Sequence, residues 1–571
     1  MAGVMFNGRS LVTPTVESSI DDSKMFPLSN PYGNVLAIIG SSLGGKPKTP
    51  LLMGSPLRAK RILRGGEGLD AVNKAFAPSS ATGSPAKIYF VRVDPATQSA
   101  LTLVDADDND VITLRSTDYG THTKDIEIKI ETGTTVGKKI SIRILGVVNA
   151  KDNLGAEPLS VHYTGAEASA KLTIEDNVLT MEAPSGTVVK TIQLDSYSSS
   201  SAIAEAIEAV AGWEVTVTRG QERFLPKNYD SLDANPKTAA VKVTGHLFSI
   251  TNWINSVEEI QVDATQLTQN GKPPVNMPYT QLSGGANGNI VSTDWEDAFG
   301  ALHEADVHWI VPLSDDSAIW DMAAAHCDYL SSVKRERRAF VGAGTGVSND
   351  QAAAHAMGIN SDRVAYVWPG VYEQNAITRK LTLMPAYYGA VAVAAGFSSI
   401  NPGETMSRKP IHVAGAEVQL REPTDTDELL DAGVLPLVAN HTGIIVSQAI
   451  STWQLDERYN RREVSVGAAT DYVARSVRDG LQQFLGRRAA PITVAAIRTR
   501  TDSILADLAR DPTVGGLGVL VGDSESPPYR DIKVSLRGDV VTVSFECSPV
   551  IPINYILIPI SISPYSGTTI E

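Results

Sequence analysis

The 571-residue sequence predicts a multidomain protein of mixed α/β and all-β architecture. It has a mostly parallel α/β core layer, a β-rich insertion in the middle and a small α+β domain towards the C-terminal end. Three observations predict this. The chain is too long for one hydrophobic core, since single cores stop growing at roughly 250–300 residues. Apolar strands alternate with helical segments over residues 34–93 and again over 286–443, the pattern of a parallel sheet with crossover helices on its faces. Between them, residues 97–285 change to short alternating runs punctuated by Gly, Asp and Asn, the pattern of antiparallel sheet.

Residues 1–26 are polar and punctuated, with one extended run over 10–16 that holds Pro14. They read as an N-terminal arm. Residues 27–96 are the first part of the α/β core domain: NVLAIIG from Asn34 is a strand, SSLGGKPKTP a loop, 56–63 and 68–76 are helical, and AKIYFVRV (86–93) is a second strand. Within 97–285, VITLRS, DIEIKIET, KKISIRIL, KLTIEDNVLTME and TVVKTIQL follow the period of two expected of half-buried strands. One helix, 200–211, interrupts them with Ile203, Ile207 and Val210 on one face. The block reads as one or two β-rich insertions.

LSGGANG (282–288) returns the chain to an α/β domain over 286–443. Helices are expected at 293–304, 317–334 and 350–360, and strands at 307–313, 339–344 and 363–368. The run LTLMPAYYGAVAVAAGF (381–397) is apolar but made mostly of small residues, and Pro385, Gly389 and Gly396 break it. A membrane span needs about 20 strongly apolar residues, so this run reads as a helix packed closely on a sheet. Residues 444–548 form a C-terminal α+β domain, extended at 444–447 and helical at 470–485 and 504–510. Residues 549–571 form a C-terminal arm strand.

That arm is the most telling stretch. Val541, Val543 and Phe545 alternate with polar residues, which marks a half-buried strand. After a break at Pro549 and Pro552, Ile556, Ile558, Ile560 and Ile562 repeat the pattern, with Tyr555 and Leu557 before and between them. Pro559 removes an amide donor, which suits a strand bonded mainly along one side. Such a strand either tucks into its own domain or adds itself to the sheet of a neighbour.

Charge and motifs narrow the function by exclusion. The formal net charge of −15 argues against nucleic acid as a general partner, because phosphate-binding surfaces need clustered Lys and Arg. Two cysteines, Cys327 and Cys547, are too few for a disulfide framework or a Cys-rich metal site, and both read as small buried residues. The N-terminus has no apolar run of signal-peptide length. Gly40-Ser41-Ser42-Leu43-Gly44-Gly45-Lys46 fits a phosphate loop, but Pro47 stands where a Ser or Thr hydroxyl must ligate magnesium. His303-Glu304 with His308 is one residue too long for two ligands on one helical face. No G-x-S-x-G elbow occurs, and none of the nine histidines stands at telling spacing from a nucleophile. The sequence therefore offers no catalytic, cofactor or metal site. One electrostatic feature stands out: residues 451–510 hold ten Arg and no Lys against seven Asp plus Glu, a local +3. It reads as a solvated helix face or as a docking face for an acidic partner.

Several passages resemble the contractile tail sheath proteins of phages and related injection particles. They are VLAIIGSSLGGKPKTP (35–50), KIYFVRV (87–93), TLRSTDYGTHTKDIEIKI (113–130), LSGGANG (282–288), the segment from Met384 through ELLDAGVLPL (428–437), and ISTWQLD with YNRREVSVGAATDYVARSVRDGL (450–481). Gly120 and Asp125 match the family's signature at the third passage only in part. The resemblance implies a catalytically inactive, subtilisin-like core layer and six-fold rings of identical subunits stacked helically around a tail tube. It implies arms exchanged between subunits: Leu11, Val12, Thr13 and Val16 at one end, Tyr555, Ile556, Leu557, Ile558, Ile560 and Ile562 at the other. The acceptor sheet would include Val541, Val543 and Phe545. Implied partners are further copies, the tube protein, and baseplate and tail terminator proteins, with no nucleic acid and no membrane. The place implied is the virion tail, assembled in the host cytoplasm, where contraction drives the tube through the host envelope. Arg458, Arg461, Arg462, Arg475, Arg478, Arg487 and Arg488 are the candidates for tube contact, and the β-rich block would face outwards. A sheath of a contractile bacteriocin, or a non-contractile adhesin-like surface protein, remain the alternatives.

Overall fold

A computed structural model describes residues 4–6, 9–11, 34–268, 270–374, 380–563, 565 and 567. Its centre is a nine-stranded sheet. In spatial order the strands are Pro410–Ile411, Gly443–Val446, Val434–Asn440, Val364–Trp368, Arg338–Gly342, Trp309–Pro312, Val35–Gly40, Lys87–Arg92 and Pro50–Met53. The run from Val434–Asn440 to Lys87–Arg92 is parallel throughout, and the strands at both margins are antiparallel. Parallel strands are buried on both faces and so read as unbroken apolar runs. VLAIIG is buried at every position, with Leu36 and Ile38 in one core and Ala37 and Ile39 in the other.

Helices Ser292–Ala301, Ser317–Ser332, Asn349–Ile359 and Thr424–Asp431 cover one face. Pro56–Leu63, Glu67–Phe76, Ala386–Phe397, Val464–Leu481 and Pro491–Ala509 cover the other. Every residue of Ala386–Phe397 is buried. Small residues are what let it sit so close. A Cβ on Gly342 of the sheet would lie 2.3 Å from the Tyr387 nitrogen, and one on Gly396 would lie 2.5 Å from Met406 Cε. Among the described residues no helix is long and apolar enough to cross a membrane.

The β-rich block holds two cores. The first is built from Ala100–Val104, Asp110–Ser116, Ile126–Thr132, Lys138–Ile144, Ile260–Val262 and Met277–Gln281, with helix His246–Ile254. The second comprises Leu159–Tyr163, Lys171–Glu175, Val178–Glu182, Val188–Gln193 and Trp213–Val217, with helix Ser200–Glu208. The chain enters the second at Leu159 and leaves it at Val243, which are register partners. The second unit is thus an insertion within the first. Helix His246–Ile254 has no local capping signal, because its cap comes from elsewhere: Asp230 accepts from the His246 and Leu247 amides at 2.7 and 3.0 Å.

Where the block joins the core, Arg92 is fully buried. Its guanidinium donates to Asp94 Oδ2 (2.9 Å), the Gly45 and Tyr119 carbonyls (3.0 and 2.9 Å) and Asn287 Oδ1 (3.1 Å). Bonds from one buried cation to both the outgoing and the returning segments tie the neck rigidly.

Two helix ends differ from expectation. Val464–Leu481 starts earlier than 470, and Pro491–Ala509 is much longer than 504–510. The β-branched run ITVAAIRTRT hides the second helix, whose start is marked only by Pro491 at its first position. Cys327 is buried, whereas Cys547 is only half-buried.

Candidate assembly interface

A site with unmet bonding capacity lies at the C-terminal hairpin. Tyr529–Arg537 and Val540–Cys547 pair antiparallel through the two-residue turn Gly538-Asp539, where Gly538 takes φ +65. Tyr529, Ile532, Phe545 and Cys547 pack against the core beneath, and the Tyr529 hydroxyl donates to Asp502 Oδ1 at 3.1 Å. Among the described residues the two strands pair only with each other, so both outer edges are open. A two-stranded sheet is marginal alone and needs a helix beneath it, as here, or further strands beside it. Val543 and Phe545 are half-buried as expected of an inward face, but Val541 is exposed, because it lies one pair from the turn of the hairpin.

The arm begins tied down. The Val521 amide donates to the Ser548 carbonyl (3.0 Å) and the Val550 amide to the Val519 carbonyl (2.9 Å). Half-buried Pro552 and Asn554 then alternate with exposed Ile551, Ile553 and Tyr555. Beyond Asn554 the body-side pattern stops. Tyr555, Ile556, Leu557, Ile558, Ile560 and Ile562 are 75–91% exposed and belong to no ladder among the described residues. The strand expected at 556–562 therefore has its sequence pattern but no partner within the subunit. At the other end, Leu11 closes a short strand, Arg9–Leu11, paired with Val4–Phe6. Val12, Thr13 and Val16 lie outside the described residues.

The seven arginines do not form one face. Arg475 is the clear correction. It is 10% exposed and donates to Asp306 Oδ1 (2.9 Å) and His308 Nε2 (2.6 Å), with Glu336 Oε2 at 3.3 Å. Arg478 also pairs with Glu336. Burial would raise the Glu336 carboxyl, but the two guanidinium groups outweigh it and hold it below its usual range. These two arginines fasten helix Val464–Leu481 to the sheet rather than face a partner. Arg458 and Arg461 flank Asp456 at 3.6 and 3.7 Å, and Arg461 also lies over the Trp453 ring. Arg462 reaches Asp431 at 3.8 Å. Arg487 and Arg488 stand exposed on the turn between the two last helices, beside Leu485 and Ile492, which are 81% and 80% exposed.

The phosphate-loop look-alike is filled by the protein itself. Glu67 Oε1 accepts from the Ser41 amide (3.2 Å), Asp94 Oδ2 from the Ser42 amide (3.0 Å) and Asp118 Oδ1 from the Gly45 amide (2.8 Å). The amides that would cradle a phosphate already hold carboxylates. Sequence reading missed the first hairpin strand, although YRDIKVSLR alternates up to a Gly-Asp turn. It also missed Glu463, a buried acid whose Oε1 accepts from Asn554 Nδ2 at 2.8 Å at the root of the arm.

No family model matches the sequence. The chain is 28% identical over 592 residues to the tail sheath protein of Bacillus phage SP01, covering 99% of this chain and 98% of that relative. It is 26% identical to the putative tail sheath protein of Enterococcus phage phiEF24C, covering 98% of each. The crystal structure of a sheath tail protein from Desulfitobacterium hafniense shares the fold with a TM-score of 0.54 at 12% identity, over 95% of this chain and 97% of that one.

Proposed function

We infer that this chain, a member of the contractile tail sheath family, is a structural subunit whose work is mechanical. Its relatives of near-equal length belong to phages, which favours a virion tail over a bacteriocin particle. The observation that carries the reading is the pairing of an open two-stranded hairpin with an exposed arm on the same subunit. In the assembly, each subunit would add its N-terminal and C-terminal strands to neighbours' hairpins. Main-chain hydrogen bonds join such strands with little regard to side-chain identity, at ~1 kcal/mol net for each bond. Repetition through six-fold rings makes that small increment strong. Open edges invite unwanted pairing unless covered, and here a second copy covers them.

Contraction would turn and slide whole subunits while the exchanged strands stay paired. Its driving force would be burial between subunits in the shorter lattice, with no fuel and no catalysis. The subtilisin-like description of the core would then concern shape alone. Arg487 and Arg488, with Leu485 and Ile492 beside them, are the remaining candidates for weak contact with an acidic tube. A screened rim contact suits a surface that has to let go. Baseplate and terminator proteins would cap the ends, with assembly in the host cytoplasm.

The test is a chain truncated after Asn554, imaged by negative stain beside the full chain. Folded monomers without tubes are the expected result. Tubes of normal length from the truncated chain would overturn the exchange of arms.

A further inference from the structure

We propose that Asn554 and Glu463 form a latch that fixes where the C-terminal arm leaves the subunit, so that both act as positioning residues in assembly. The inference rests on the reading of the arm as a donated strand.

The chain is tied to the body as far as Val550, and again at Asn554. Ser548 and Val550 are bonded to the segment 519–521, and Val550 Cγ1 sits 2.4 Å from where a side chain on Gly403 would begin. The alternation of half-buried and exposed residues continues as far as Asn554 and then ends. Its side-chain amide ties the arm to the body at the point where that alternation stops.

The partner is an unusual choice for stability alone. Glu463 is 2% exposed and precedes helix Val464–Leu481. Its Oε1 accepts from both Gln448 Nε2 and Asn554 Nδ2, while its buried Oε2 has no hydrogen-bond partner among the described residues. A buried carboxylate with a bare oxygen is costly. A neutral glutamine at that position would accept the same two bonds without the charge. What the carboxylate adds is a stronger, charge-assisted bond to Asn554. A single bond of that kind aims the arm without packing it down, leaving the apolar row beyond it open for a neighbour.

The test uses the full chain with Asn554→Ala, Asn554→Asp, Glu463→Gln and the pair Glu463→Gln/Asn554→Asp. Melting curves first establish that each variant is folded. Amide hydrogen exchange of residues 551–556 in free subunits, and the lag of tube formation by light scattering, are then measured. Asn554→Ala is expected to speed exchange and lengthen the lag on the order of tenfold, as loss of one charge-assisted bond would, with tubes of unchanged diameter. Asn554→Asp sets two carboxylates together and is expected to be slower still. The double variant is expected to recover, because the side-chain amide introduced by Glu463→Gln can donate to the new carboxylate. A native lag for Asn554→Ala and Asn554→Asp, or no recovery in the double variant, overturns the latch. If the chain truncated after Asn554 still builds tubes, the donated arm itself is wrong. If truncation abolishes tubes while the Asn554 variants assemble at the native rate, the latch alone fails.

Discussion

Arg475 and Glu463 are both charged and both inside, and their surroundings give them opposite effects on stability. Arg475 is matched by Asp306 and Glu336. Removing it as Arg475→Ala leaves Glu336 to Arg478 and Asp306, which is 69% exposed, to solvent, so the cost is about 1–2 kcal/mol, below that of a broken buried pair. Thermal or urea unfolding of the variant would measure it. Glu463 is the reverse case: burial raises its carboxyl above the usual 4.5, with Gln448, Asn554 and Arg462 only partly opposing. A raised value in the folded state means that the group's contribution is fully present below its unfolded pKa and is lost as pH rises through the raised value. Glu463→Gln is therefore expected to melt higher than the parent at pH 7 to 8. The gap should narrow as pH falls towards 4.5, and a constant gap would show that charge is not the cause.

At the scale of elements, the helix Ala386–Phe397 is held by shape. Gly342→Ala would drive a Cβ to 2.3 Å from backbone, while Gly389→Ala would meet the tip of Leu437 at 2.8 Å. Side-chain tips can move and backbone in a packed core cannot, so the first is expected to cost more than the ~1–3 kcal/mol of ordinary overpacking and the second to fall within it. Denaturant midpoints of the two variants would rank them. This helix was legible in the sequence because small residues without a charge say close packing. So were the parallel strands, whose runs stay apolar on both faces. Helix His246–Ile254 was not, since its aromatic and β-branched residues suggest strand and its cap, Asp230, lies in another segment. The arm shows the limit most clearly. Alternation at 556–562 announces a strand, but no single chain can name the edge it joins. Among the arginines, composition revealed the excess of charge, while only the fold separated Arg475 and Arg478, turned inwards, from Arg487 and Arg488, turned out.

At the scale of the whole molecule, the nested β-unit is a detachable part. Its two ends, Leu159 and Val243, are neighbours on adjacent strands, and its core is separate from that of the unit carrying it. Replacing residues 159–243 with a short Gly-Ser turn removes Asp230, the cap of helix His246–Ile254, at a cost of about 1 kcal/mol, and is expected to leave the rest folded and tube formation intact, as circular dichroism and electron microscopy would report. The core sheet, hairpin and arm lie elsewhere in the chain. Loss of tubes with folding retained would place this unit in the lattice contacts.

The bare arm also sets the terms on which free subunits can be stored. Each one exposes a row of greasy side chains, the kind of surface that clumps indiscriminately, yet each also carries fifteen surplus negative charges. Like charges keep copies apart at a distance, and on the proposed exchange only an encounter that seated an arm along an edge would recover more than the repulsion takes away. Counter-ions weaken that standoff. A dilute stock in low salt should keep, and added salt should shorten the wait before growth begins.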